Sequence, residues 1–171
     1  HTDYSLLDGA APVSRLVKKA KSFGMPGIAI TDHGNMFGVM AFEKECRDAG
    51  LNPIVGCEFY VAGGSRLEKT GTENGNKYWH LLLIAENLEG YHNLLKLTSS
   101  SFTEGFYYKP RIDDELLAAN SRGLIASSAC LAAKPSPTRA STTGPRTACP
   151  PTTATPADVY APTLSRSVST S

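Results

Sequence analysis

Four side chains stand out because of where they fall. His33 follows the apolar run GIAIT, Glu58 follows PIVG, Cys130 follows LIASSA, and His80 lies near the start of YWHLLLIA. Imidazole, carboxylate and thiol are the groups that bind metals or move protons, and each here adjoins a hydrophobic run that reads as a strand. In parallel α/β folds the reactive groups gather beyond the carboxyl ends of the strands, where loops carry them on a rigid base. His80 differs in sitting at a strand start, but alternation puts it on the face shared by Leu82 and Ile84, pointing toward a central site if the sheet closes.

Each also has a structural reading. A histidine beside a strand often only packs, Asp32 beside it suits a turn that accepts backbone N–H bonds, and a cysteine such as Cys130 is by default a small buried hydrophobe. Glu58 is harder to dismiss. Between Cys57 and Phe59, an unpaired carboxylate costs several kcal/mol unless it finds a cation, a donor or a metal. His92, in GYHNLLKL, reads as a helix-surface residue.

The elements that must position these groups alternate. VSRLVKKAKSFG places Val13, Leu16, Val17 and Ala20 at helical spacing with lysines opposite, and Gly24 as a stop. GIAIT reads as a short strand. A second helix is expected over Asn35 to Gly50, with Asn35 at its N-cap and Gly50 closing it. PIVGCEFYVA is a strand, GGSRLEKTGTENGNK a polar loop and YWHLLLIA a strand, followed by a helix from about Leu88 to Ser99. DDELLAAN is a short helix and GLIASSA a further strand. This alternation argues for a parallel sheet or barrel with helices outside.

Composition sets the bounds. The 171 residues include 41% apolar and 8% aromatic residues and carry a net charge of +1, which describes a soluble globular chain with room for one real core. No window approaches the ~18 uninterrupted apolar residues of a membrane helix. HTDYSLLDG has neither the basic nor the apolar region of a secretory signal, so a cytoplasmic location is expected. Cys46, Cys57, Cys130 and Cys149 form no CxxC pair and read as reduced thiols. The average hides a break. Residues 1–133 carry 13 basic and 15 acidic side chains, whereas 134–171 carry 4 basic and 1 acidic and are rich in Pro, Ser, Thr and Ala. That tail lacks the periodicity to build a core and is expected to be disordered. The two domains are therefore 1–133 and 134–171.

HTDYSLLDG, ITDHGNMFGV, IVGCEFYVA, HLLLIAENLEGYHNLLKL, GFYYKPRID and LIASSACL together resemble the N-terminal PHP (polymerase and histidinol phosphatase) domains of bacterial replicative DNA polymerase III alpha subunits. The resemblance runs from residue 1 to about 131. The YKPRID stretch and the SLLDG context distinguish it from stand-alone PHP phosphatases. It implies an incomplete, distorted (β/α)7 PHP barrel. It also implies a metal cluster held by His1 (the second histidine of an HxH pair), Asp8, His33, Glu58, His80 and Cys130, with His33 and Glu58 central to catalysis. Such a mixed N/O/S set suits two or three divalent ions, zinc or manganese rather than magnesium. The implied chemistry is phosphodiester hydrolysis, and in polymerases with an intact site 3′ to 5′ exonuclease proofreading.

Further implications follow from the same resemblance. The polymerase active site and its magnesium would lie in regions absent here, and DNA, the sliding clamp and the proofreading subunit would be partners of the intact subunit. The chain departs from the family in two places. The first HxH histidine would lie upstream of His1, and no late Asp-x-His pair follows Cys130, since the last histidine is His92. The abrupt tail resembles a frameshift or a truncation. Weak or no nuclease activity and low DNA affinity are expected of this chain by itself. A stand-alone PHP phosphatase and a non-catalytic polymerase scaffold are the alternative readings.

Overall fold

A computed structural model describes residues 1–6, 8–70 and 78–129. Cys130 and the tail from residue 134 lie outside the described residues, as does part of the polar loop.

Among the described residues four helices and five strands follow in order: α1 (Val13–Ser22), β1 (Gly27–Ile30), α2 (Val39–Ala49), β2 (Asn52–Ala62), β3 (Tyr78–Ala85), α3 (Leu88–Thr103), β4 (Arg111–Ile112), α4 (Asp114–Ala119) and β5 (Leu124–Ser128). The sheet runs β1-β2-β3-β5, with β4 beside β2. It is mixed rather than parallel. β1 and β4 run parallel to β2, but β2 pairs with β3, and β3 with β5, in antiparallel register. The alternating pattern suggests parallel strands, but apolar periodicity reports which residues are buried and carries no information on strand direction.

Alternation along the two long strands separates two faces. Val55, Cys57, Phe59 and Val61 of β2 and Leu83 and Ala85 of β3 join the core, against Val17 and Ala20 of α1, Phe42 and Cys46 of α2, and Leu94 and Leu97 of α3. Each fully buried Leu or Phe in that layer contributes about 1.5–3 kcal/mol. Glu58 and Tyr60 of β2 and His80 and Leu82 of β3 occupy the other face, because residues opposite each other in the register (Glu58 with Leu82, Tyr60 with His80) point to the same side.

Local signals explain several helix ends. Gly50 adopts φ 73° and closes α2, as its position predicts. Asn87 and Asp113 cap α3 and α4, accepting from the amides of Gly90 and Leu116, both at 3.0 Å. The second helix begins later than expected, at Val39. Asn35 is not its cap. Its side-chain amide donates to the carbonyls of Tyr4 (3.1 Å) and His33 (3.0 Å), and its Oδ1 accepts from the Phe37 amide, so it ties the loop after β1 to the first residues of the chain. Among the described residues no helix is long and apolar enough to cross a membrane, and Cys46 and Cys57 are buried free thiols. His92 lies on the exposed face of α3.

Candidate metal centre

Sheet register assembles the site. Beyond β1 the chain keeps its parallel alignment with β2: the Glu58 amide donates to the Asp32 carbonyl (3.0 Å) and the Gly34 amide to the Glu58 carbonyl (2.8 Å), pairing His33 with Glu58. Glu58 therefore lies in the middle of an eleven-residue strand, not past the end of a shorter one. Strand alternation then carries Glu58 and Tyr60 onto one face, and antiparallel pairing brings His80 to it from β3.

Three imidazoles converge on the Glu58 carboxylate. His80 Nδ1 is 2.5 Å from Oε1, His1 Nε2 is 3.2 Å from Oε2, and His33 Nδ1 is 3.6 Å from Oε1. The His1 and His33 rings stack with centroids 4.0 Å apart. Asp8, largely exposed, reaches His33 from the other side, its Oδ2 being 2.6 Å from Nε2. His1, Asp8, His33, Glu58 and His80 thus lie together, while Cys130 is outside the described residues.

His33 Nδ1 is buried and makes no hydrogen bond among the described residues. With Nε2–H donating to Asp8, a ring without a proton on Nδ1 would turn that lone pair toward the Glu58 carboxylate, an arrangement that a metal ion between them relieves. One donor atom from each of His1, His33 and Glu58 lies within 4.8 Å of the others, compact enough for one divalent ion to contact all three. The residues therefore fit a divalent metal ion.

Asp32 proves to be the anchor of the site rather than a turn former. It is 1% exposed, and its carboxylate accepts from the Thr2 amide (2.5 Å), the Thr2 hydroxyl (2.7 Å) and the Ser5 hydroxyl (2.7 Å). Ser5 Oγ also lies 3.2 Å from His1 Nδ1 and accepts from the His33 amide at 3.1 Å. Thr2 and Ser5 carry no motif of their own in the sequence; being small hydroxyl residues close to His1 is their only signal.

Tyr60 forms a wall of the site. Its ring sits 5.1 Å from that of His80 and 6.1 Å from that of His33, and burial pushes its phenol up to about 12. Burial likewise raises the Cys57 thiol well beyond its ordinary value, and its Sγ donates to the Asp32 carbonyl from the core side of the sheet. It is no ligand of this site.

The fold and the convergent imidazoles and carboxylates define an α/β protein with a metal-centre type of site. The PHP domain family matches residues 1–146, and the chain belongs to that family. It is 52% identical over 132 residues to the DNA polymerase III subunit alpha of Treponema pallidum, covering 77% of this chain and 11% of that protein. The corresponding subunits of Borreliella burgdorferi and Aquifex aeolicus are 53% identical over 131 residues and 49% over 140, covering 11% and 12% of those proteins. The chain thus spans about a tenth of the length of the curated relatives it matches.

Proposed function

We propose that this chain is the PHP segment of a replicative DNA polymerase III alpha subunit, and that its cluster hydrolyses phosphodiesters. In the intact subunit that activity is 3′ to 5′ exonuclease proofreading. The carrying observation is the convergence of His1, His33 and His80 on Glu58, with His33 Nδ1 left without a hydrogen-bond partner among the described residues. Family membership and identity of about half to the alpha subunits support the polymerase context. We infer the distorted (β/α)7 barrel of that family, of which the five strands are a part, and action inside the cell on DNA alongside the other replicase subunits, the sliding clamp and the proofreading subunit among them.

His1, Asp8, His33, Glu58, His80 and Cys130 would hold two or three zinc or manganese ions. Such ions, when bound, lower the pKa of water and clamp phosphate oxygens. The protein's own part is positional. Glu58 is the common neighbour of three imidazoles, Asp8 fixes the His33 ring, and Asp32 fixes the segment that bears His1.

Elemental analysis of the purified chain and its His33→Ala variant tests this reading, together with digestion of a labelled single strand by an alpha subunit containing the segment. Bound zinc or manganese that is lost in the variant, with manganese-dependent 3′ digestion by the subunit, is expected. A metal-free protein would leave the domain as a non-catalytic scaffold of the polymerase.

A further inference from the structure

We propose that Lys109 grips the phosphoryl oxygens of the substrate at the metal cluster; the inference rests on the phosphoester reading above and adds a residue to it. The cluster is acidic, with Asp8 and Glu58 among its donors, and an anionic substrate needs a counter-charge. Lys109 Nζ lies 5.6 Å from the centroid of the Tyr60 ring, the same ring that neighbours both His33 and His80. Several other basic side chains on this compact unit are spent on acids: Lys44 on Asp48, Arg47 on Glu43, Arg66 on Asp113 and Glu104, and Arg122 on Glu89. Among the described residues Lys109 has no carboxylate partner. Its ammonium lies over the face of a tyrosine, a weak contact that a phosphate readily replaces.

The segment carrying Lys109 is held in place from both ends. The buried Arg111 guanidinium donates to the carbonyl of Gly105 (3.0 Å) and to those of Arg66 (3.1 Å) and Glu68 (2.8 Å). Between them the Tyr107 amide donates to the Lys109 carbonyl (3.1 Å), closing a tight turn. At its apex Tyr108 takes φ 57°, a left-handed conformation that a bulky residue rarely holds. Pro110 packs so close to Gly34 that an added Cβ there would stand 2.8 Å from its Cγ, which seats the turn against the residue after His33. Strain held by surrounding structure is characteristic of places where a side chain must be aimed.

The test is a calorimetric titration of the manganese-loaded chain with inorganic phosphate, with metal content measured on the same samples. Lys109→Met should weaken phosphate binding by about tenfold or more, the loss of one charge-assisted hydrogen bond. Its metal content should equal that of the original protein. Lys109→Arg should stay within about threefold, because it keeps the charge. Lys96→Met, on the exposed surface of α3, makes the same change in net charge and should leave binding unaltered. Phosphate binding by Lys109→Met equal to the original, or weakened equally by Lys96→Met, would overturn the role of Lys109 and leave the phosphoester reading intact. If the original protein takes up metal but no phosphate, or takes up neither, both readings fall.

Discussion

The Asp32 carboxylate holds Thr2 twice, through the backbone amide at 2.5 Å and the hydroxyl at 2.7 Å, and so fastens the first residues of the chain to the end of β1. His1 and His33 owe their stacked arrangement to this join. Asp32→Ala would strand a buried amide and two hydroxyls, a loss of about 3 kcal/mol, and would free His1. Urea denaturation should show that loss, and competition with a chelator should show zinc affinity lower by about tenfold or more. An unchanged affinity would mean that His1 needs no such anchor.

Glu58 touches three imidazoles, so metal and stability should be linked through it. Zinc or manganese at about 100 times its dissociation constant should stabilise the folded chain by about 2.7 kcal/mol, seen as a rise in melting temperature that a chelator reverses. Glu58→Gln should abolish most of that rise. A variant stabilised as strongly as the original would remove Glu58 from the ligand set.

Asp113 links acid stability to the Arg66 network. Burial opposes ionisation of its carboxyl, but the amides of Arg66 and Leu116 and the Arg66 guanidinium outweigh it and hold the group below the usual carboxylate range. A depressed folded value means that its contribution is complete above about pH 4, the unfolded value. The contribution disappears as pH falls through the lower folded one. Asp113→Asn should therefore be less stable at neutral pH, with the gap to the original closing below about pH 4; urea midpoints across the acid range would show it. A gap that is constant with pH would rule out this linkage.

Gly34 combines a left-handed backbone, φ 62°, with close approach to Pro110 and to the Tyr60 ring, where a Cβ would lie 2.8 Å and 3.1 Å away. Gly34→Ala should cost about 1–3 kcal/mol. Because the displaced atoms belong to the wall of the site, metal affinity should fall as well. Chemical denaturation and metal titration of the variant provide the check.

Much of the fold is legible in the amino-acid sequence. Leu16, Val17 and Ala20 at helical spacing point to α1, YWHLLLIA coincides with β3, and Gly50 marks the end of α2. Two-residue β4, inside YKPRID, is not legible, since Arg111 and Ile112 are too few to display alternation. Asn35 looks like a helix cap because cap chemistry is local, whereas its partner Tyr4 lies 31 positions earlier. Asp32 has the same ambiguity: an acid after a strand suits a turn equally well, and only the folded chain brings Thr2 and Ser5 to it.

By itself the sequence determined the order of the helices and of every strand except β4, the apolar faces and the residue types able to bind a metal, because each of these follows from short-range spacing and side-chain chemistry. The tertiary structure decided which of those residues meet. Strand direction and register are set by contacts between distant segments, and it is register that pairs His33 with Glu58 and places Tyr60 opposite His80. A one-residue slip in either pairing would turn Glu58 or His80 toward the core and disperse the site.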